Sequence, residues 1–323
     1  MAATIADVAK MAGVGVGTVS RVLNGGKSVS ASTKETVEQA MHTLNYKRNS
    51  MAKRLREQKS GIIALMIPVV YHPFFAQFAE YVEHAADGYG YSILLVASQQ
   101  CVRKESDMIE RIKKREVDGA IFVTHFAHSP DEFTDCPLVS VDRHLAKGVP
   151  YVTSNNYEAT VRSVEYLISK GCKRIGYIGS KPQVDSEVEL REKAYRDTMR
   201  RHGLAECVVN DVITHGEENG LAQKFLERFG DADGVFAAGY SVANAFCAKA
   251  ASAGKKIPDD VQVVAYDGVF GSWSGAPAIT CVEQPVEKMA NTAVELLIKK
   301  IEGADVPEKV IHESKFVRGT TTK

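Results

Sequence analysis

Arg21 is the first residue of the chain whose chemistry is specific enough to suggest a partner. A guanidinium group can donate two parallel hydrogen bonds to the edge of a guanine, a common base-specific contact in DNA recognition. Nearby, the hydroxyl groups of Thr18 and Ser20 suit phosphate contacts, whereas Val16 and Gly17 offer a methyl group and a close backbone approach. One chemistry that these side chains could serve together is therefore contact with a nucleic acid.

Two short helices joined at Gly13 would position these side chains. Thr4, with Asp7 three residues later, is typical of a helix N-cap, and apolar residues follow at helical spacing. A second helix with Val19 turned inward leaves Arg21 on its outer face. This layout favours a helix-turn-helix. Two amphipathic helices joined at a glycine also occur in ordinary helical cores, so the pattern alone leaves both interpretations open.

The N-terminal segment is basic, whereas the rest of the chain is acidic. Residues 1–60 carry ten basic and four acidic side chains, and residues 61–323 carry 30 basic and 36 acidic ones. Ser30 is typical of the cap of a third helix, and Asn49 could cap a short cationic segment over 50–56. Because the positive charge coincides with the helical pattern, it favours a module that faces phosphate groups.

From residue 61 onward, strands alternate with helices. The apolar run 62–67 is typical of a strand buried in a parallel sheet. The alternation predicts an α/β fold with two doubly wound parallel-sheet subdomains and a ligand beyond the carboxyl ends of the strands. The polar stretch 180–189 is predicted to be a loop. We predict strands at 62–67, 92–97, 119–123, 138–141, 174–178, near 212, 234–237, 261–265 and near 316, and helices at 74–87, 105–115, 158–170, 190–202, 220–229, 242–253 and 289–301.

Composition and cysteine spacing narrow the possible classes of protein. With 45% hydrophobic and 25% charged residues, a chain of 323 residues is long enough for more than one core. Six cysteines lie far apart without a CxxC pair, which indicates reduced thiols and neither disulfides nor a zinc site. The sequence has no N-terminal signal pattern and no apolar run of about 18 residues, so we expect a cytoplasmic protein without membrane contact.

Segments similar to catalytic motifs are incomplete. Residues 239–243 are similar to a nucleophile elbow, but the second small position is Ala243 and no oxyanion-loop motif precedes it. Residues 13–17 do not complete a dinucleotide-binding fingerprint, and the sequence has no P-loop motif. His125 and His128 have metal-like spacing without companion ligands. We therefore expect no enzyme activity, no cofactor and no metal site.

Several short segments of the N-terminal module together form a specific signature. They are Thr4-Ile5-x-Asp7-Val8-Ala9, Ala12-Gly13-Val14, Thr18-Val19-Ser20-Arg21-Val22-Leu23-Asn24, Val29-Ser30-x-x-Thr33, Leu44-Asn45-Tyr46 and Asn49-x-x-Ala52-x-x-Leu55. Through these segments and its later α/β pattern, the chain resembles the LacI/GalR (lactose-repressor-type) family of transcription regulators. Two positions depart from the family pattern: Gly15 replaces a usual capping serine, and Arg48 replaces a proline before the hinge.

The resemblance implies a division of the chain into three parts. These are a helix-turn-helix DNA-binding domain over 1–48, a hinge helix and linker over 49–60, and a periplasmic-binding-protein-like effector and dimerisation domain over 61–323. Within the last part, the N-subdomain takes about 61–155 and 285–316, and the C-subdomain takes about 156–283 and 317–323. We expect the chain to cross between them near 154–157, 283–285 and 316–318. The absence of a leucine heptad extension before Lys323 favours a dimer over a tetramer.

The resemblance also implies a function for the chain. It predicts a sequence-specific transcriptional repressor in the cytoplasm, associated with the nucleoid, that binds a pseudo-palindromic operator as a homodimer. Leu55 is expected to wedge into the minor groove at the operator centre, because a lone leucine in so basic a segment has little core to join. The implied DNA contacts are Thr4, Val16, Gly17, Thr18, Ser20, Arg21, Asn24, Asn49, Ala52 and Leu55.

The implied effector site lies at strand ends. Positions that match the ligand contacts of the family are Phe74, Asp142, Arg143, Arg191 and Asp267. An arginine and an aspartate that converge with an aromatic ring suit a polyhydroxylated ligand, which predicts a sugar or sugar derivative as effector.

Three further effector positions are more open. Tyr240, in Gly239-Tyr240, replaces part of the usual Asn-Asp pair, and it could supply the lost hydrogen bond or fill the pocket. His215 stands where relatives often stack an aromatic ring on the sugar. Trp273 lies in a Gly/Ser loop, where it could line the cleft or stabilise the loop.

Other functions stay open at this point. One is a carbon-catabolite-type regulator that uses a phosphorylated carrier protein as corepressor. Another is a sugar-binding protein that serves a transporter, although the basic module and the missing signal pattern argue against it. An enzyme on the same scaffold is the third, and it lacks a convincing set of catalytic residues.

Overall fold

The computed structural model describes residues 3–23, 29–46, 59–99, 101–123, 126, 128–214, 216–268 and 279–323. The chain forms two compact units, Met1–Lys59 and Ser60–Lys323. The cationic segment predicted over 50–56 lies outside the described residues. No helix in the described ranges is long and apolar enough to cross a membrane.

The described part of the first unit contains three short helices, with bounds α1 Ile5–Met11, α2 Val16–Leu23 and α3 Ala31–Thr43. Thr4 and Asp7 form the predicted cap of α1: the Asp7 N–H donates to Thr4 Oγ1 at 3.3 Å, and the Thr4 N–H donates to Asp7 Oδ2 at 2.8 Å. Gly13 turns the chain with a φ of +63°, which favours a residue without Cβ. One valine of each helix is fully buried: Val8, Val19 and Val37.

Among the described residues of the second unit, two six-stranded sheets form the frame. The first contains β1 Ile62–Ile67, β2 Ser92–Ala97, β3 Gly119–Phe122, β4 Leu138–Val141, β5 Tyr151–Ser154 and β11 Lys309–His312. The second contains β6 Ile175–Ser180, β7 Cys207–Asp211, β8 Gly234–Ala237, β9 Gln262–Tyr266, β10 Thr280–Glu283 and β12 Lys315–Val317.

The two sheets arrange their strands in the same pattern along the chain. It runs β11-β5-β4-β3-β1-β2 in the first sheet and β12-β10-β9-β8-β6-β7 in the second. Neighbouring strands are parallel, except that β12 runs antiparallel to β10. This architecture confirms the predicted α/β fold with two mostly parallel sheets.

Seven helices of the described chain cover the sheets: α4 Pro73–Gly88, α5 Val102–Lys113, α6 Asn156–Ser169, α7 Glu189–Arg201, α8 Glu218–Phe229, α9 Tyr240–Ser252 and α10 Val286–Ile301. The apolar residues of α10 recur every three or four positions, so they form one buried face. That face packs in the core of the first sheet together with α4. We call the first sheet with α4, α5 and α10 the first lobe, and the second sheet with α6 to α9 the second lobe.

The chain passes between the lobes three times. It crosses after β5, returns after β10, and crosses again between β11 and β12. The last crossing lies at 313–314 and not at 316–318 as predicted, because Phe316 already pairs with Val282 in the second sheet. The strand β11 escaped prediction because it is a short edge strand whose Ile311 is 53% exposed, so it lacks a continuous apolar run.

Two further strands were not predicted, and one predicted strand ends elsewhere. The missed strands are β5 and β10, which are short inner strands and almost fully buried. The strand expected near Val212 ends one residue earlier, at Asp211, and the Val212 side chain is 55% exposed.

Candidate ligand cavity and nucleic-acid interface

A cavity of about 170 Å³ lies between the carboxyl ends of the two sheets. Its wall includes residues that follow strands of both lobes, which is where open α/β sheets bind ligands. Five of the predicted effector residues line it: Phe74, Asp142, Arg143, Arg191 and Asp267.

The remaining predicted effector residues are placed differently. Tyr240 is the first residue of α9. In the part of the chain that the structure describes, the cavity is lined by its neighbours Gly239 and Ser241 but not by Tyr240. His215 and Trp273 lie outside the described residues.

The two aspartates of the cavity share an unusual backbone conformation. Asp142 directly follows β4, and Asp267 directly follows β9. Their φ angles are +58° and +65°, in the left-handed region that few non-glycine residues adopt. Aspartate tolerates this conformation better than most side chains do. Both strands therefore end in a sharp turn that leaves a carboxylate in the cavity wall.

Arg191 is held by three contacts although it lies in the wall. Its side chain is in the first turn of α7, and the residue is only 4% exposed. Its Nε donates to Asn156 Oδ1 at 2.6 Å, and its Nη1 donates to the Ala238 carbonyl at 2.6 Å. The guanidinium carbon lies 3.5 Å from the centre of the Tyr266 ring, a close cation–π contact. Arg191 is thus fixed before any ligand binds.

Asp142 is connected to Arg191 through two buried polar side chains. Thr153 Oγ1 donates to Asp142 Oδ1 at 2.5 Å. Asn156 Nδ2 donates to the same Thr153 hydroxyl at 3.1 Å, and its Oδ1 accepts the bond from Arg191. Since Thr153 lies in the last half of β5 and Asn156 begins α6, this chain of bonds follows the first crossing between the lobes.

Asp267 is connected to the second crossing in a similar way. Gln284 Nε2 donates to Asp267 Oδ1 at 2.5 Å, and Gln284 Oε1 accepts from Ser154 Oγ at 2.7 Å. The Ser154 hydroxyl also lies 2.9 Å from the Tyr266 hydroxyl, beneath Arg191. The two crossings and the two aspartates therefore belong to one buried polar network.

Sequence reasoning missed the supporting members of this network. Thr153, Ser154, Asn156 and Gln284 are each 5% exposed or less. The available signal was a group of polar residues at the end of β5 and just after the strands β5 and β10. Polar residues at such places are usually exposed loop residues, so the pattern did not mark them as buried.

Burial shifts the ionisation of the cavity groups. Burial raises the pKa of Asp142, although the charges of Arg191 and Arg143 act against the rise. Burial lowers the pKa of Arg143 to about 10 and raises the pKa of Tyr266 to about 12. At neutral pH, Arg143 therefore carries a charge and Tyr266 is a neutral ring beneath Arg191.

Phe74 lies in an aromatic cluster at the start of α4. Its ring centre is 5.5 Å from that of Phe75 and 5.9 Å from that of Phe78. Only 8% of Phe74 is exposed, so most of the ring packs against the protein. The cavity thus combines an apolar edge with carboxylate and guanidinium groups, a combination that suits a ligand with both hydroxyl groups and an apolar face.

His128, the second histidine of the metal-like pair, lies in a separate cluster of acidic residues. Its Nε2 is 2.7 Å from Glu105 Oε2, and its Nδ1 is 3.3 Å from Glu132 Oε2. The hydrogen bond with Glu105 raises the pKa of His128 against the effect of burial. Over the described ranges, which exclude His125, no His, Cys, Asp and Glu side chains form a group of three suited to a metal ion.

The outer face of α2 carries the predicted DNA contacts of the first unit. Val16 is 47% exposed, Gly17 and Arg21 are exposed, and Thr18 and Ser20 are half-buried. A Cβ atom at Gly17 would lie 3.9 Å from Arg21 Nη2, so the Arg21 side chain extends back toward the start of the helix. The face therefore presents a cation next to a bare stretch of backbone.

Other predicted DNA contacts lie at the edges of this unit or beyond the described chain. Thr4 is exposed and caps α1, so its hydroxyl already has a structural role. The contacts predicted at Asn24, Asn49, Ala52 and Leu55 lie outside the described residues.

Two family models match the two units. Residues 4–49 match the bacterial regulatory proteins of the lacI family, and residues 164–322 match a periplasmic binding protein-like domain. The ribose operon repressor of Halalkalibacterium halodurans is 36% identical over 93% of this chain and 90% of its own length.

Two solved structures have the same fold. A complex of the transcriptional regulator CelR with cellobiose is 27% identical, covers 99% of each chain and superposes with a TM-score of 0.72. The lac repressor dimer bound to operator and the anti-inducer ONPF is 22% identical, covers 100% of this chain and 99% of its own, and has a TM-score of 0.83. The chain belongs to the lacI family of bacterial regulatory proteins.

Proposed function

We propose that this protein is a transcriptional repressor that binds operator DNA as a homodimer and is controlled by a sugar or sugar derivative. The observation that carries the proposal is the cavity wall in which Asp142, Arg191 and Asp267 are fixed by one buried network. The family contains no enzymes, and the chain is not one. Its place of action would be the cytoplasm, at the nucleoid where the operator lies.

The cavity supports a sugar as the effector. Carboxylates accept hydrogen bonds from hydroxyl groups, and a guanidinium donates to them, so fixed ions of both signs suit a polyhydroxylated ligand. The related protein from Halalkalibacterium halodurans is named for a ribose operon, and CelR was solved with cellobiose. We assign Phe74, Asp142, Arg143, Arg191 and Asp267 to the effector site.

The exposed face of α2 supports operator binding. Arg21 would donate to a guanine edge in the major groove, while Gly17 would let the backbone approach closely. Thr18 and Ser20 would serve phosphate contacts. A twofold dimer would present two such helices to the two halves of a pseudo-palindromic operator.

The buried network offers a way to couple the lobes to the ligand. Asp142 belongs to the first lobe, whereas Arg191 and Asp267 belong to the second. A ligand that bonds to all three binds one arrangement of the lobes more tightly than any other. It would therefore shift the population of arrangements and, through it, the affinity for operator DNA.

The experiment that tests the proposal is calorimetric titration of the full chain with D-ribose, sucrose and cellobiose. We expect one of these sugars, or a close derivative, to bind to the wild type and to lose at least tenfold in affinity in Asp267→Asn, a loss of about 1.4 kcal/mol. Asp305→Asn, at an exposed position away from the cavity, is the matched control and should bind normally. Equal affinities in the wild type and Asp267→Asn would remove Asp267 from the site.

A further inference from the structure

Glu187 is a nearly buried carboxylate whose partners come from the opposite lobe. It belongs to the segment between β6 and α7 in the second lobe and is 6% exposed. Its Oε1 lies 2.8 Å from Lys309 Nζ, 2.9 Å from His144 Nε2 and 3.0 Å from the Tyr151 hydroxyl. All three partners belong to the first lobe or to the loop between its strands β4 and β5.

The side chains of His144, Tyr151 and Lys309 also contact one another, and we call these three residues the Glu187 socket. The rings of His144 and Tyr151 pack with their centres 4.5 Å apart. The Lys309 ammonium lies 5.4 Å from the centre of the Tyr151 ring. Because the three side chains support one another, they would remain close together when Glu187 leaves, and the socket can receive the same carboxylate again.

Backbone bonds join the same segment to the cavity wall. The Glu187 N–H donates to the Asp142 carbonyl at 3.1 Å, and the His144 N–H donates to the Asp185 carbonyl at 3.1 Å. Between them, Arg143 Nη1 donates to Ser186 Oγ at 2.5 Å. The segment is therefore a short strand-like bridge from one lobe to the effector residues of the other.

The chemistry favours a charged Glu187 in this place. Burial acts to raise the pKa of Glu187, but hydrogen bonds from Lys309, His144 and Tyr151 outweigh it, and the pKa is lowered. A buried carboxylate is stable only while such partners remain. Glu187 reaches these three partners only while the two lobes are in contact, so the bonds favour the arrangement of the lobes in this structure.

We propose that Glu187 is a positioning residue that latches the two lobes together and holds Asp142 and Arg191 facing each other across the cavity. This inference rests on the proposed effector function of the cavity. Glu187 does not line the cavity itself, whereas its neighbour Val188 does, and Arg191 follows one helical turn later in α7. Glu187 therefore affects ligand binding indirectly, because it holds residues of the cavity wall in place.

Hydrogen exchange of the ligand-free full chain tests the latch without any sugar. Glu187→Gln keeps the side-chain shape and removes the charge. We expect the amides of His144 and Glu187 to exchange about tenfold faster, while amides in the centre of β1 and β8 keep their protection. Glu295→Gln, which breaks the exposed pair with Lys299, is the matched control and should leave all these rates unchanged. Unchanged exchange at His144 and Glu187 would overturn the latch.

A charge reversal separates the latch from a general loss of stability. Glu187→Lys should speed exchange at the two amides even more, and adding Lys309→Glu should restore part of the protection, since the pair is then reformed with opposite signs. Failure of the double variant to recover any protection would contradict a pairwise latch.

Ligand binding gives the second readout. For whichever of D-ribose, sucrose and cellobiose binds the wild type, Glu187→Gln should release it faster and weaken its affinity about tenfold. Unchanged affinity would show that Glu187 does not position the cavity. If none of these sugars changes the affinity of the wild type for operator DNA, the proposed sugar control fails, whereas the exchange result still decides the latch.

Discussion

Two arginines, Arg191 and Arg21, to which we assign the central functions of the two units, lie in opposite environments. Arg191 is 4% exposed, bonds to Asn156 and Ala238, and lies over the Tyr266 ring. Arg21 is exposed on the outer face of α2. Arg191 is thus held in place by the protein itself, whereas Arg21 would be ordered by the DNA that we propose it binds.

The difference has energetic consequences. A fixed side chain loses little conformational entropy when a ligand binds, which favours discrimination between similar small molecules. An exposed basic side chain binds through long-range attraction to phosphates and through adaptable hydrogen bonds, so its contribution depends on salt. Substitutions in the cavity should therefore affect stability and ligand binding together, whereas substitutions on α2 should affect mainly DNA binding and change stability little.

The largest effect is expected for Arg191→Ala. It leaves the Asn156 and Ala238 oxygens without their donor and removes one cation near Asp142, so the free energy of unfolding should fall by about 3 kcal/mol. Sugar binding should be lost as well. Urea denaturation measures the free energy of unfolding, and calorimetry measures sugar binding. Arg191→Lys is the control, because it keeps the positive charge but lacks the branched guanidinium group. If Arg191→Ala were as stable as the wild type, the contacts of Arg191 would not hold the cavity wall in place, and the contrast with Arg21 would be lost.

A smaller and more selective effect is expected for Arg21→Ala. The exposed side chain contributes little to folding, so the unfolding free energy should change by less than about 0.5 kcal/mol. Specific operator binding should weaken by about 1–3 kcal/mol, while binding to random DNA changes much less. Gel-shift titrations at one salt concentration compare the two DNAs. Equal losses on both would mean that Arg21 contacts phosphate alone.

Lys34→Ala is the matched control for Arg21→Ala. Lys34 is a basic residue of the same unit, lies on α3 and pairs with Glu38 at 3.8 Å across an exposed surface. Such pairs contribute little to stability. We expect this variant to retain base-specific binding, which separates the loss of a base contact from the loss of one positive charge.

The smallest effect is expected for Gly17→Ala. An added Cβ meets Arg21 Nη2 at an ordinary contact distance of 3.9 Å, and alanine favours a helix over glycine by about 0.5–1 kcal/mol. The first unit should therefore become slightly more stable, yet operator affinity should fall because the methyl group prevents the close backbone approach. Unchanged operator affinity would show that the backbone at Gly17 does not approach the DNA.

Local patterns were enough to predict much of the fold. The Thr4–Asp7 cap, the turn at Gly13 and the buried face of α10 depend on residues within a few positions of one another. The apolar runs of strands such as β1, β3 and β8 were equally clear, since strands buried on both faces are apolar throughout. The buried strands β5 and β10 include polar residues, and they were not predicted. The edge strand β11 lacks such a run, and its partner β5 lies far away in the sequence.

Local sequence patterns could not identify the buried side chains that support the cavity residues. The family resemblance indicated Asp142, Arg191 and Asp267, but it gave no reason to select Thr153 or Gln284. The stretch 180–189 was predicted to be a polar loop, and the structure has a loop over 181–188, yet Ser186 and Glu187 within it are buried. A polar side chain is buried only where distant residues supply its hydrogen bonds, and those partners become known with the tertiary structure.

The most direct test of the central claim is operator affinity measured by fluorescence anisotropy, with and without the sugar that binds the cavity. The DNA would be a palindromic operator selected from a random pool. The coupling expected between the two sites is about 1–3 kcal/mol, so the sugar should change the operator affinity of the wild type at least fivefold and leave that of Asp267→Asn unchanged. The same operator affinity at every sugar concentration in the wild type would contradict the account.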